Sequence, residues 1–352
     1  MKSKNRNILF VVGLGFDPRM CRSLEEVVAA GGSGKRDCLI IKFESGGSYQ
    51  NGRYSKYIEE NVKKLDSLFP EGKKTKQIPM WSADKSRIGS QNAANVFGNL
   101  SDLAPYSDIA VDVSAMPRGL YFPLIGKLLY ILDEANKLGK TSLPNLHVLV
   151  SENAQLDGRI TDQGIEDDAS YLFGFTGTLG MESSAGSPRI WMPVLGERQT
   201  EQIKRIYDLV LPDEICPVFP LPSANPRRLD NLVVEYREIL FDRLRVDPNN
   251  FIYVDEQNPF EVYNTLCNAI VHYNSALKTL GGCQVIISAL SSKLLSIGAL
   301  LTSYELKNYG RGVGIAHVET TWYNFEEGQD LEKVLSGTTL SALWLSGDSY
   351  EH

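Results

Sequence analysis

Two hydrophobic patterns alternate along the chain. Short runs of consecutive apolar residues occupy 7–14 (NILFVVGL), 37–43 (DCLIIKF), 109–113 (IAVDV) and 146–150 (LHVLV), with a further short run near 77–81. Between them, apolar residues recur every three or four positions, which predicts helices over 24–30, 54–69, 88–100 and 120–137. In 54–69 the spacing is carried by Tyr54, Tyr57, Ile58, Val62, Leu65, Leu68 and Phe69. Strands separated by helices of this length predict parallel βαβ units. Strands without a polar face predict a sheet covered on both sides. The same order returns after residue 189, with strands over 190–195, 215–220, 251–254, 285–287 and 313–318. Helices over 200–211, 229–244, 259–277 and 294–307 lie between them.

A constant shift of 174 positions lays Ser114-Ala115-Met116 on Ser288-Ala289-Leu290 and Asn51-Gly52-Arg53 on Asn225-Pro226-Arg227. It also lays Ile58, Val62 and Leu65 on Leu232, Tyr236 and Ile239, and Ile78 and Met80 on Ile252 and Val254. The expected fold is therefore α/β: two tandem Rossmann-like domains, each a parallel sheet with helices on both faces, related by internal duplication. The expected boundaries are 1–156 and 189–352. The Gly-, Ser- and Asp-rich stretch 157–188 reads as a connecting segment or flap, since it is too long for an ordinary loop. The apolar run at 340–345 (LSALWL) is expected to pack across a sheet edge.

Composition narrows the function classes. Hydrophobic residues make up 43% and charged residues 22% of 352 positions, as in ordinary globular chains. No apolar run approaches the ~20 residues a membrane span needs, so no membrane association is expected. A formal charge of −7 argues against general nucleic-acid binding, though it leaves room for a local basic pocket. Five cysteines without metal-like spacing suggest reduced thiols in a cytoplasm and no metal site. The motifs GxGxxG, GxxxxGK[ST], HExxH and GxSxG are absent.

In an open parallel sheet, ligands bind beyond the carboxyl ends of the strands. The loops there carry the candidate residues. Ser114 with Arg118, and Ser288 with Ser292 and Lys293, place hydroxyls and a cation before a helix, the arrangement that gathers a phosphate or carboxylate. The serines could equally cap those helices. Asn51 with Arg53, and Asn225 with Arg227, pair an amide that can read a base edge with a cation for phosphate. As surface features they would be a turn Asn and a helix-start Arg. Arg19 joins the ligand-binding candidates, and Asp17 beside it could form no more than a local ion pair. Asp17, Glu152 and Glu319 are candidate acid/base groups if the protein is an enzyme. Glu152 and Glu319 could equally cap helices or face solvent.

At residues 111–118 and 286–293 the sequence resembles the CRISPR-associated Rossmann-fold (CARF) domain and its relatives. There, a strand ends in a hydroxyl-rich, cation-containing loop that opens a helix. The resemblance is carried by Ser114 and Arg118, and by Ser288 and Lys293; the Gly-Gly-Thr core of that family's loop is missing in both stretches. It implies a cleft between two halves that binds a cyclic oligonucleotide or another nucleotide signal. The expected function is thus binding of a nucleotide or other phosphorylated small ligand, as a sensor in bacterial signalling or antiviral defence. Two alternatives stay open: an enzyme acting on a nucleoside-like or phosphorylated small molecule, and a scaffold subunit with protein partners in a larger defence complex.

Overall fold

The computed structural model describes residues 5–43, 54–84, 86–177, 186–309 and 312–348. The chain divides into two units, Met1–Gly164 with Thr320–His352, and Ile165–Glu319. It begins with β1 (Ile8–Gly13), α1 (Arg22–Ala29), β2 (Arg36–Phe43), α2 (Ser55–Leu68) and β3 (Lys73–Ile78). Then come α3 (Gly89–Ala94), β4 (Asp108–Asp112), α4 (Arg118–Lys137), β5 (Asn145–Glu152), α5 (Ala154–Arg159) and β6 (Ile160–Ile165). The second unit opens with β7 (Ser170–Thr176), β8 (Arg189–Val194), α6 (Thr200–Val210), β9 (Glu214–Ile215) and β10 (Val218–Pro220). It continues through α7 (Arg228–Glu235), β11 (Ile252–Val254), α8 (Pro259–Ala276), β12 (Gln284–Ala289), α9 (Lys293–Asn308) and β13 (Val313–His317). The chain then returns to the first unit for β14 (Thr320–Phe325), α10 (Leu331–Ser336) and β15 (Thr339–Ser346).

In the first unit the strands lie in the order β15-β5-β4-β1-β2-β3. β1 through β5 are mutually parallel, and β15 closes the β5 edge antiparallel, Thr339 opposite Glu152 and Trp344 opposite His147. β1 and β4 are buried at every position, as continuous apolar runs between two helical layers must be. β3 (KKTKQI) is exposed except at Ile78; lysines along an edge strand blunt pairing with other chains. That polarity also explains why apolar patterning places the strand at 77–81 rather than at β3. α2 buries Tyr57, Asn61 and Leu65, four apart on one face. Phe10, Val12, Leu24, Ile40, Leu65 and Phe69 are central to one core.

The second unit has the order β11-β10-β8-β12-β13-β7. Its first-to-fifth parallel strands are β8, β10, β11, β12 and β13, and β7 lies antiparallel beside β13. Each unit is thus a parallel-dominated α/β sheet of Rossmann-like order 3-2-1-4-5, with one antiparallel strand beside the fifth. Its core gathers Trp191, Ile206, Phe219, Tyr236 and Ile286. The helix expected over 229–244 is divided: α7 ends at Glu235 and a π-helical turn covers Glu238–Arg243.

The units also differ from the boundaries expected from sequence. The stretch 157–188 supplies part of α5, all of β6 and all of β7, and residues after 319 belong to the first unit. Pairing of β15 with β5 and of β14 with β6 draws that C-terminal stretch back. Among the described residues no helix is long and apolar enough to cross a membrane.

Candidate functional site

With β1 at the centre, the first unit's connections leave it in opposite directions, toward β2 on one side and β4 on the other. The carboxyl ends of β1 and β4 therefore flank the sheet's switch point, where open α/β sheets bind ligands. The loops there touch: a Cβ added to Gly15 would stand 3.5 Å from the Cβ of Ala115. Gly13-Leu14-Gly15-Phe16-Asp17-Pro18 keeps the first two glycines of a G-x-G-x-x-G turn and has Pro18 in the third place, a partial signal that a strict motif search passes over.

Asn61, buried on α2, braces the β1 loop. Its Nδ2 donates to the carbonyls of Gly15 at 3.0 Å and Asp17 at 2.9 Å. Asp17 accepts from the Arg19 backbone N–H at 2.8 Å, from Nε at 3.1 Å and from Nη2 at 2.8 Å. Arg19 Nη1 donates to Asp157 Oδ1 at 2.7 Å. Burial disfavours the Arg19 charge, but the two carboxylates outweigh it and raise the guanidinium's pKa. Arg19 and Asp17 are thus engaged with each other, in a buried cluster rather than a surface pair.

β4 ends on Asp112, which is only 1% exposed. Its carboxylate accepts from Ser23 Oγ at 2.5 Å and from the Ser114 N–H at 2.8 Å. Ser114 Oγ accepts from the Ser151 N–H at 2.9 Å, and Ser23 and Ser151 share a 2.9 Å hydrogen bond. Ser114 therefore spends these groups on fixing the loop. Pro117 is the N-cap of α4, with no side-chain cap, and Arg118 is its first residue, half-buried. Glu152 ends β5 opposite Thr339. Asn51 and Arg53 lie outside the described residues.

The second unit repeats the arrangement at β8 and β12. A Cβ on Gly196 would meet Leu290 O at 2.5 Å and Ser291 Cα at 2.8 Å, so only glycine admits this approach. Tyr236, fully buried, donates its hydroxyl to the Gly196 carbonyl and accepts from the Gln199 N–H at 3.0 Å. Burial raises its pKa. Ser288 lies inside β12 and accepts from Trp191 Nε1 at 2.9 Å. Ser292 caps α9, accepting from the Leu295 N–H at 3.3 Å, and Lys293 is the first helical residue, half-buried. Asn225 forms a turn with the Arg227 N–H at 3.1 Å, and both are exposed. Arg228 rather than Arg227 makes the inward contacts, to Glu197 at 3.0 Å and to Glu256. Glu319 lies 3.3 Å from His317 Nε2.

The structure thus brings Asp17, Arg19, Ser114 and Arg118 to one edge of the first unit. Ser292, Lys293, Asn225 and Arg227 fall on the corresponding edge of the second, Glu319 follows its β13, and Ser288 is turned into the core instead. Asp112, Asn61 and Asp157 are not among the candidates read from sequence, and Tyr236 reads there only as an apolar helix position. An aspartate inside an otherwise apolar strand was the one available signal, since a buried carboxylate needs partners. Burial pushes the Cys21 and Cys38 thiols up to about 12, away from the range of a nucleophilic thiolate.

No family model matches the chain, and no curated protein matches it either. Among solved structures, a type III CRISPR defence DNA nuclease activated by cyclic oligoadenylate overlaps 84% of this chain at 9% identity and a TM-score of 0.44. The chain spans 63% of that nuclease's length. A NadR protein in complex with NAD and AMP-PNP overlaps 90% of this chain and 92% of its own at 10% identity, with a TM-score of 0.23. At these scores the overlaps fix neither ligand nor activity, and the Rossmann-like description rests on the strand orders above.

Proposed function

We propose that the protein binds a nucleotide or another phosphorylated small ligand at the carboxyl edge of its parallel sheets, as a sensor in signalling or defence. The observation that carries this reading is the meeting of the β1 and β4 loops at the first unit's switch point, with Arg118 opening an uncapped 20-residue helix beside it. The dipole at such a helix start favours negative charge, and a guanidinium adds charge-assisted hydrogen bonds. The shared strand order of the two units supports descent from one duplicated segment. The five free cysteines accord with a reducing cytoplasm.

The test is thermal unfolding of the full chain with a nucleotide panel that includes AMP, ATP, NAD and cyclic oligoadenylates. A ligand at one hundred times its Kd adds about 2.7 kcal/mol, or about 5–10 °C for a unit of this size. Arg118→Ala is expected to abolish the shift produced by the active compound. A panel that leaves the wild-type transition unmoved overturns the reading. Turnover of a panel member, lost in Asp17→Asn, Glu152→Gln or Glu319→Gln with binding intact, would instead favour the enzyme alternative.

A further inference from the structure

The carboxyl edge of the first unit is roofed by its own chain. α5, β6, β14 and α10 close over it around an aromatic and aliphatic cluster separate from the sheet core. Phe16, from the β1 loop, stacks on Tyr54 with centroids 4.6 Å apart and meets Phe325 of β14 at 6.1 Å. Tyr57 of α2 meets Phe325 edge-on at 5.1 Å. Polar ties reinforce the closure. The Tyr54 hydroxyl donates to Tyr323 O at 3.3 Å and accepts from the Phe325 N–H at 2.9 Å. Asn153 Nδ2 donates to Val334 O at 2.6 Å, and Arg159 pairs with Asp330 at 2.7 Å.

One tie differs in kind. Asp157, on α5, reaches past the cluster to Arg19 of the β1 loop. The two carboxylates on that guanidinium are unequal. Asp17, two residues away and 12% exposed, takes Nε and Nη2 as a fork. Asp157 takes Nη1 alone and is 57% exposed. The Arg19 side chain itself is 6% exposed, so its Nη1 needs a hydrogen-bond acceptor on the side Asp17 leaves open. A phosphoryl oxygen, like a carboxylate oxygen, accepts a charge-assisted hydrogen bond from a guanidinium.

We propose that Asp157 is a latch: an internal anion seated on Arg19 Nη1 that holds the roof closed, in the place a ligand's phosphoryl group would take. Its role as a stand-in rests on the binding function proposed above, but the latch itself is measurable without any ligand. Hydrogen exchange on the full chain supplies the test. In Asp157→Asn without ligand, the β14 and α10 amides should exchange about five- to tenfold faster, as loss of one hydrogen bond of ordinary net strength, its charge half-screened by solvent, implies. The strands of the second unit should keep their wild-type rates. Asp330→Asn removes an exposed ion pair from the same roof and should change those rates less than about twofold. Inorganic phosphate added to the wild type should accelerate the same amides, and Asp157→Asn should bind phosphate severalfold tighter. Unchanged β14 and α10 rates in Asp157→Asn overturn the latch whatever phosphate does. Acceleration in Asp157→Asn, with phosphate and the nucleotide panel inert toward the wild type, upholds the latch and overturns the binding function.

Discussion

Replacing Asp108 by Asn should weaken the first unit by about 3 kcal/mol at neutral pH, the low end for breaking a buried ion pair. Asp108 opens β4 at the amino edge of the sheet, opposite the candidate site, and its side chain is 2% exposed. It accepts from Arg6 Nε at 2.6 Å and Ser107 Oγ at 2.9 Å, lies 3.2 Å from His147 Nε2, and accepts from Asn145 Nδ2 at 3.2 Å. Burial pushes its pKa up, but the hydrogen bonds from His147, Arg6 and Ser107 outweigh that and bring it down from 3.8 to about 2. At 1.36 kcal/mol per unit, this difference corresponds to roughly 2–3 kcal/mol of pH-linked stability. Because the folded pKa lies below the unfolded one, that stability is complete above about pH 5 and is lost progressively as the pH falls through the folded pKa toward about 1. Calorimetry of wild type and Asp108→Asn at pH 7 should show the first unit's transition lowered by about 6–12 °C. The gap between the two proteins should then narrow by about 2 kcal/mol between pH 5 and pH 2. A gap of constant size across that range would refute the account, because the carboxylate's charge would then not be what the network stabilises.

The remaining predictions concern the two switch points. Arg118→Ala should remove nucleotide-induced stabilisation, read in the same melting experiment as the ligand shift measured from the variant's own unliganded transition. Gly15→Ala should be tolerated, since its Cβ meets Ala115 at ordinary contact distance. Gly196→Ala should cost about 1–3 kcal/mol, because Leu290 O and Ser291 Cα would have to retreat. Denaturant midpoints of the pair separate these outcomes. Ser288→Ala should cost about 1–3 kcal/mol by leaving buried Trp191 Nε1 without its acceptor. A weakening of that size with no change in ligand response would mark Ser288 as structural.

The fold was legible wherever a strand is buried on both faces. β1, β4, β5, β8, β12 and β13 announce themselves as continuous apolar runs because no register of theirs faces water. Polar edge strands were not: β3 carries three lysines, and β6 and β14 pair over a sequence separation that no local pattern records. β15 was visible as an apolar run, while its partner β5 was not deducible, since pairing is decided by which edge remains open. The site was legible to the level of loops but not of atoms. Asn61 reaches the β1 loop, and Asp157 reaches Arg19, from elements far along the chain. Nothing local to either residue signals the contact.

The Ser-Ala pairs show why a repeated tripeptide does not fix a repeated role. Ser114 stands two residues beyond the end of β4, where its hydroxyl receives the Ser151 N–H and ties the loop to β5. Ser288, at the same sequence offset, is still inside β12 and faces Trp191. Contacts across the switch points give a different correspondence: Gly15 faces Ala115, whereas Gly196 faces Leu290 and Ser291. A side chain's direction in a strand reverses with every residue, so a slip of one or two positions turns a loop brace into a core hydrogen bond. The first residues of α4 and α9, Arg118 and Lys293, are displaced by only one position from the 174-residue shift. The two units therefore agree best at their helix starts, where backbone N–H groups and one cation meet. That backbone feature, rather than the serines, is what the two units have in common.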